Sequence, residues 1–240
     1  MLDKTAQRPG RFVQLLAAVI GVAPVATVLI WMRLRQDEPF TAGDVIVYPL
    51  VFGGGTIVLI AVLVRFLCRE RLGAMNAGRG SWRADILWGV CLFGVFAVLA
   101  VLQQFTVARW FPQEPAPEIR DLIVEMSESP LLMAVWLGPV VWIGVAAFEE
   151  VARVFLLSRL WLVWPTTTAR WAAAVVSAVL FGLAHAYQGP AAVISTGLMG
   201  LIAAWFYMAA GRVWPLIISH ALYDSAWIIF GVTMIRRSML

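Results

Sequence analysis

Seven stretches of this chain are predominantly apolar and run from 17 to 34 residues, enough to cross a bilayer core of about 30 Å as a helix. They are Phe12–Met32, Val45–Leu67, Ile86–Val107, Leu131–Trp164, Trp171–Tyr187, Ala191–Ala210 and Val213–Ile235. The fourth is too long for one straight span, so it is expected to tilt, to project beyond the bilayer, or to divide and give an eighth. Pro24 lies inside the first run, and Gly53, Gly54 and Gly55 form a flexible triplet in the second. The expected fold is an all-α polytopic transmembrane bundle of seven spans, or eight.

Composition agrees. Of 240 residues, 62% are hydrophobic and 13% charged, against about 45–50% and about 25% in a soluble domain. A soluble fold of this size has too little interior to hide that much apolar surface, so the lipid bilayer is the first partner expected. The formal net charge of +4 does not point to nucleic acid, because the arginines sit mainly between apolar runs, where they set membrane topology. Cys68 and Cys91 lie at the end of one run and inside another, which suggests neither a disulfide framework nor a metal site. Lys4, Arg8 and Arg11 precede a first run without a small-residue cleavage site, so that run is expected to be retained as a span.

Three parts follow: residues 1–109 with three spans, an acidic, proline-rich linker at 110–130, and a four-span core at 131–240. In the linker, Ile119, Leu122, Ile123 and Met126 fall at i, i+3, i+4 and i+7, the spacing of an amphipathic helix on a membrane surface. With the N-terminus inside, the inner segments hold Lys4, Arg8, Arg11, Arg65, Arg69, Arg71, Arg79, Arg83, Arg159, Arg170 and Arg212. The outer segments hold Arg33, Arg35, Arg109, Arg120, Arg236 and Arg237. The excess of basic residues on the first side favours a cytoplasmic N-terminus, and the expected location is that of a multi-pass protein in a bacterial inner membrane.

A charge near the bilayer centre costs at least about 2.5–3.5 kcal/mol, so such residues are rare and usually functional. The last four runs hold Glu149, Glu150, Arg153, His185, His220 and Asp224, including both histidines of the chain and every acid after Glu128. Glu149 and His185 are equally far from a turn near Thr167, which puts them at similar depth on antiparallel helices. His220 and Asp224, at i and i+4, share a face, although His220 lies only eight residues past Arg212 and matches that depth less well. Glu149, His185 and His220 are therefore expected to face one polar, water-accessible cavity.

Each group also has a structural explanation. Glu149 and Arg153 at i, i+4 form an ion pair that eases insertion, single histidines bond backbone carbonyls, and Asp224 orients the ring of His220. Ala174, Ala178, Gly182 and Ala186, every four residues, suit close helix packing. Taken together, the ionisable residues can activate water and stabilise an oxyanion without a cofactor. The same side chains also suit Zn²⁺ held by two histidines and a carboxylate, or a proton relay in a transporter.

At these residues the chain resembles the CPBP family, the CAAX proteases and bacteriocin-processing enzymes also called Abi. Glu149-Glu150-Val-Ala-Arg153 followed by Val-Phe-Leu-Leu-Ser-Arg159-Leu is similar to the family's EExxxR motif, one residue short. Phe181-Gly-Leu-Ala-His185 matches FxxxH, and His220-Ala-Leu-Tyr-Asp224 matches HxxxN/D. The resemblance covers about residues 131–230. It implies a glutamic intramembrane endopeptidase with no metal or other cofactor, acting on a membrane-associated peptide such as a prenylated tail, a leader or a sorting signal. It also implies a glutamate base, assistance from His185, and His220 with Asp224 at the oxyanion site. The shortened first motif keeps a catalytically inactive scaffold or regulator open as an alternative. On a regular helix Glu149 needs less rotation than Glu150 to take the family's glutamate direction, so Glu149 is the expected base, with Glu150 a second carboxylate that holds the site.

Overall fold

The computed structural model describes residues 9–34, 46–111 and 117–238. Lys4, Arg8, Arg35 and Val45, named above, lie outside them. Among the described residues there is no strand. The helices are α1 (Arg11–Leu34), α2 (Ile46–Leu67), α3 (Trp82–Phe105), α4 (Pro117–Glu128), α5 (Pro130–Val163), α6 (Thr167–Ala184), α7 (Pro190–Ala210) and α8 (Trp214–Ser238). Six of them, α2, α3 and α5 to α8, are long and apolar enough to cross a membrane, and α1 carries a shorter apolar stretch, Arg11–Thr27. The protein is a multi-pass helical bundle.

Local chemistry sets the helix ends. The Ser81 hydroxyl accepts from the Ala84 N–H at 3.3 Å, so α3 starts at Trp82, ahead of its apolar run. Thr166 does the same for α6, accepting from the Ala169 N–H at 3.2 Å; such caps satisfy backbone donors that a helix start leaves orphaned. The over-long fourth run is bent. Gly138 leaves helical geometry (φ −94°, ψ −108°) and Pro139, which has no N–H, follows it in a π-helical segment, Trp136–Ala147. Regular α-helix resumes at Phe148 and runs to Val163.

Close helix crossings use small residues. The π segment of α5 packs on a second one, Pro49–Gly53 in α2. There a Cβ on Gly53 would lie 3.0 Å from Gly144 Cα, so the triplet expected to give flexibility begins with a packing contact. Ala174, Ala178 and Gly182 are buried on α6, which packs along α7. Ala186 falls beyond the helix end and is exposed. The helix α4 turns its apolar side to protein: Met126 is buried and Ile123 rests on Gly231 of α8. Arg236 donates to the Ser127 carbonyl at 2.8 Å to fix the pair.

Two polar knots join front and back parts at one end of the bundle. Arg212, in the α7–α8 turn, pairs with Asp85 of α3 and donates to the Gly78 carbonyl at 2.7 Å. Arg159, counted from sequence among loop arginines, is in fact buried. It is held by both oxygens of Glu70 at 2.8 and 3.1 Å and by Gln14 of α1 at 2.9 Å.

Candidate active site

The first motif occupies one turn of α5 just past the π segment. At about 100° per residue, residues three apart share a face, and Arg153 pairs with Glu150 rather than with Glu149 as the i, i+4 spacing suggested. The pair is buried: its side chains are 6% and 3% exposed. The guanidinium carbon of Arg153 stands 4.3 Å from the centroid of the Phe181 ring on α6, a cation–π contact. Its Nη1 lies 3.2 Å from where a Cβ on Gly200 of α7 would sit, so Gly200 leaves room for the arginine.

His220 joins this pair from α8, which packs against the π segment of α5. Its Nδ1 lies 2.9 Å from Glu150 Oε1. An ionised carboxylate only accepts, so Nδ1 carries a hydrogen. The other ring nitrogen, Nε2, lies 3.4 Å from Asp224 Oδ2 and 3.7 Å from Glu149 Oε2. Despite its short distance in sequence from Arg212, His220 therefore reaches both glutamates. Glu149 and Asp224 are the more open members, with side chains 22% and 26% exposed.

His185 is the residue that ends α6, with φ −97° and ψ 14°. Its Nδ1 lies 2.9 Å from the Phe181 carbonyl, which cannot donate, so this nitrogen carries a hydrogen, and in the neutral tautomer so fixed Nε2 is the acceptor. The ring does not bond either glutamate. It meets the cluster through Phe181, whose ring centroid is 4.9 Å from that of His185 and 6.3 Å from that of His220. Phe181 is thus a wedge that spaces the two histidines and covers Arg153, a role legible in sequence only as the first letter of FxxxH.

Buried polar atoms are nearly always hydrogen-bonded. Here Glu149 Oε2, Glu150 Oε2, Arg153 Nε and Arg153 Nη1 are buried and have no hydrogen-bond partner among the described residues. The four atoms lie within little more than one helical turn, on Glu149, Glu150 and Arg153. No group of three His, Cys, Asp or Glu among the described residues is arranged to hold a metal ion. Tyr187 also belongs to this neighbourhood and sequence reasoning missed it. It sits in a 3₁₀ turn, Ala186–Gln188, with its ring stacked at 6.3 Å and 24° on that of His185. A tyrosine two residues beyond a motif histidine has no periodicity to flag it.

Residues 131–226 match the family described as type II CAAX prenyl endopeptidase Rce1-like. No curated protein and no solved structure matches the chain. The matched segment contains all six ionisable residues of the cluster, and α1 to α4 lie outside it.

Proposed function

Residues 131–226 belong to the Rce1-like family of CAAX proteases, and from that premise we propose that the chain is a glutamic intramembrane endopeptidase with Glu149 as its water-activating base. The observation that carries this is the position of Glu149: partly open, with a buried, unpartnered Oε2 3.7 Å from His220 Nε2. Glu150 is engaged by both Arg153 and His220, so it holds the site instead of titrating through the reaction.

In the proposed reaction, water gives a proton to the Glu149 carboxylate as its oxygen bonds to the scissile carbonyl carbon. The carbonyl π pair moves onto oxygen and makes an oxyanion. Collapse of that intermediate re-forms the carbonyl and breaks the C–N bond. The leaving nitrogen takes the proton from Glu149, so one water is added across one amide bond. The lone pair on His185 Nε2 suits it to orient the attacking water, and Asp224 holds the ring of His220. A substrate carrying a lipid or apolar chain is supported by a groove of about 280 Å³ between α3 and α8. Phe93, Ala97, Tyr223, Trp227 and Phe230 line it, and Tyr223 directly precedes Asp224.

The test is cleavage by detergent-purified protein of farnesylated, geranylgeranylated and unlipidated C-terminal peptides. Hydrolysis without stoichiometric zinc on elemental analysis is the expected result. Activity lost on chelation together with bound zinc would replace it with a metallopeptidase. No hydrolysis by the wild type would favour an inactive scaffold, the alternative suggested by the shortened EExxR spacing.

A further inference from the structure

The intermediate proposed above needs hydrogen-bond donors aimed at its oxyanion, and the site has few. Asp224 as a carboxylate has only acceptors. His220 commits Nδ1 to Glu150, and its Nε2 faces Asp224 and Glu149. His185 commits its N–H to the Phe181 carbonyl, which leaves its second nitrogen an acceptor. The guanidinium of Arg153 is enclosed between the Phe181 ring and Gly200 and is 6% exposed, behind the open side of the site.

Tyr187 is placed differently. It is exposed and stacked on His185. Gln188 Nε2 donates to its hydroxyl oxygen at 2.7 Å, so the phenol proton points elsewhere and remains available to donate. Gly189, at φ 95°, then turns the chain directly into α7 and fixes the short connector. Protein packed around the hydroxyl, with the Glu149 and Asp224 charges adding, pushes its pKa up to about 12. Tyr187 lies in the connector outside the spans, keeps its proton at neutral pH, and stands beside the site through its contact with the His185 ring.

We propose that Tyr187 is a catalytic residue, its hydroxyl donating a hydrogen bond to the oxyanion on the substrate carbonyl. This rests on the glutamate-and-water reading and supplies the donor that reading lacks. Only a hydrogen bond is made: the phenol proton stays on its oxygen throughout.

The test uses the full-length protein in proteoliposomes with the same peptide panel. Tyr187→Phe keeps the ring on His185 and removes only the hydroxyl. It is expected to lower kcat by about 10²–10³-fold, as removal of one oxyanion donor does, with KM and melting temperature close to wild type. Gln188→Leu, which removes only the group orienting the hydroxyl, is expected to lose less than about tenfold, a fraction of the donor's own effect. A wild-type kcat in Tyr187→Phe, with Glu149→Gln inactive in parallel, would overturn the assignment and leave the peptidase reading standing. Equal losses in Tyr187→Phe and Gln188→Leu, with lowered melting temperatures in both, would make the hydroxyl structural and overturn it too. A wild type inactive on every peptide would bring down the peptidase reading, and this inference with it.

Discussion

Arg153 and Arg159 stand six residues apart on one helix, both buried and both near carboxylates, yet their surroundings differ. Every nitrogen of Arg159 is engaged: two with Glu70, one of these also with Gln14, and the third with Ser158 Oγ at 3.3 Å. Arg153 has one nitrogen bonded to Glu150 and two with no partner among the described residues. Removing two charges from water costs several kcal/mol per ion, and that cost is recovered only when the remaining donors and acceptors are satisfied. The Arg159 knot meets that condition and ties α1, the α2–α3 loop and α5 together. The Arg153 cluster does not meet it. Its unsatisfied atoms lie beside the partly open side chains of Glu149 and Asp224. Two ion pairs on one helix thus separate by hydrogen-bond satisfaction, not by charge: one is a closed clasp, and the other is the cluster proposed as the reaction site.

The largest expected effect breaks this contrast on its catalytic side. Glu149→Gln is expected to lower kcat/KM by about 10²–10⁴-fold, the usual contribution of a general base, while melting temperature in detergent stays near wild type. Glu150→Gln is expected to reverse the pattern, with a milder loss of rate and a clear loss of stability, because it leaves Arg153 buried without its acid. A greater rate loss in Glu150→Gln would move the base to that residue.

On the structural side, Glu70→Leu leaves the Arg159 charge buried and unpaired, and Arg159→Met leaves the half-buried Glu70 and buried Gln14 without their donor. Breaking such a pair typically costs about 3–5 kcal/mol. Either variant should show a large drop in denaturation midpoint, and whatever protein remains folded should keep a near-normal kcat. A selective loss of kcat at unchanged stability would mean that Arg159 belongs to the site and that the contrast is false.

Much of this was legible in the sequence, for physical reasons that can be named. Spans are read from length and hydropathy because the bilayer has a fixed thickness, and the cluster is read from charges because lipid makes them costly. Helix ends were less legible: α3 and α6 start where Ser81 and Thr166 cap them, which hydropathy does not register. The partners of the arginines were hidden. Glu70 and Gln14 are 89 and 145 residues from Arg159, and no local spacing predicts contacts of that range. Arg153 could have paired with either glutamate by spacing; it pairs with Glu150, its guanidinium over Phe181 and beside Gly200. The fourth run was legible as too long for one straight span, but neither the bend at Gly138–Pro139 nor the π segment ending one residue before Phe148 was read from it.

The two histidines sharpen the comparison at smaller scale. Among the described residues His185 bonds only a backbone carbonyl through its side chain, whereas His220 is one of the partners of buried Glu150. His185→Ala should therefore be a clean kinetic lesion, with about 10²-fold lost from kcat and a thermal midpoint close to wild type. His220→Ala should lose activity and stability together, since it strips an acceptor buried at 3% exposure of a donor, at a cost of about 1–3 kcal/mol. Retained proteolysis in His185→Ala would be fatal to its role beside Glu149.

The smallest effect expected is that of Asp224→Asn. The carboxylate stands 3.4 Å from His220 Nε2 with its side chain about a quarter exposed, so water already shares its charge. Asparagine keeps an oxygen acceptor in the same place and adds an N–H₂ donor. A charge-assisted hydrogen bond is roughly twice as strong as a neutral one, and the neutral bond is worth about 1 kcal/mol. The exchange should then cost about 1 kcal/mol, or roughly fivefold in kcat/KM at about 1.36 kcal/mol per decade. Asp224→Leu, which removes the acceptor altogether and leaves the His220 ring free to turn, should cost more than Asp224→Asn in the same peptide assay. A loss in Asp224→Asn as large as that of Glu149→Gln would show that the charge itself is used. Two carboxylates flanking one imidazole nitrogen would then share the base, and Glu149 would no longer act alone.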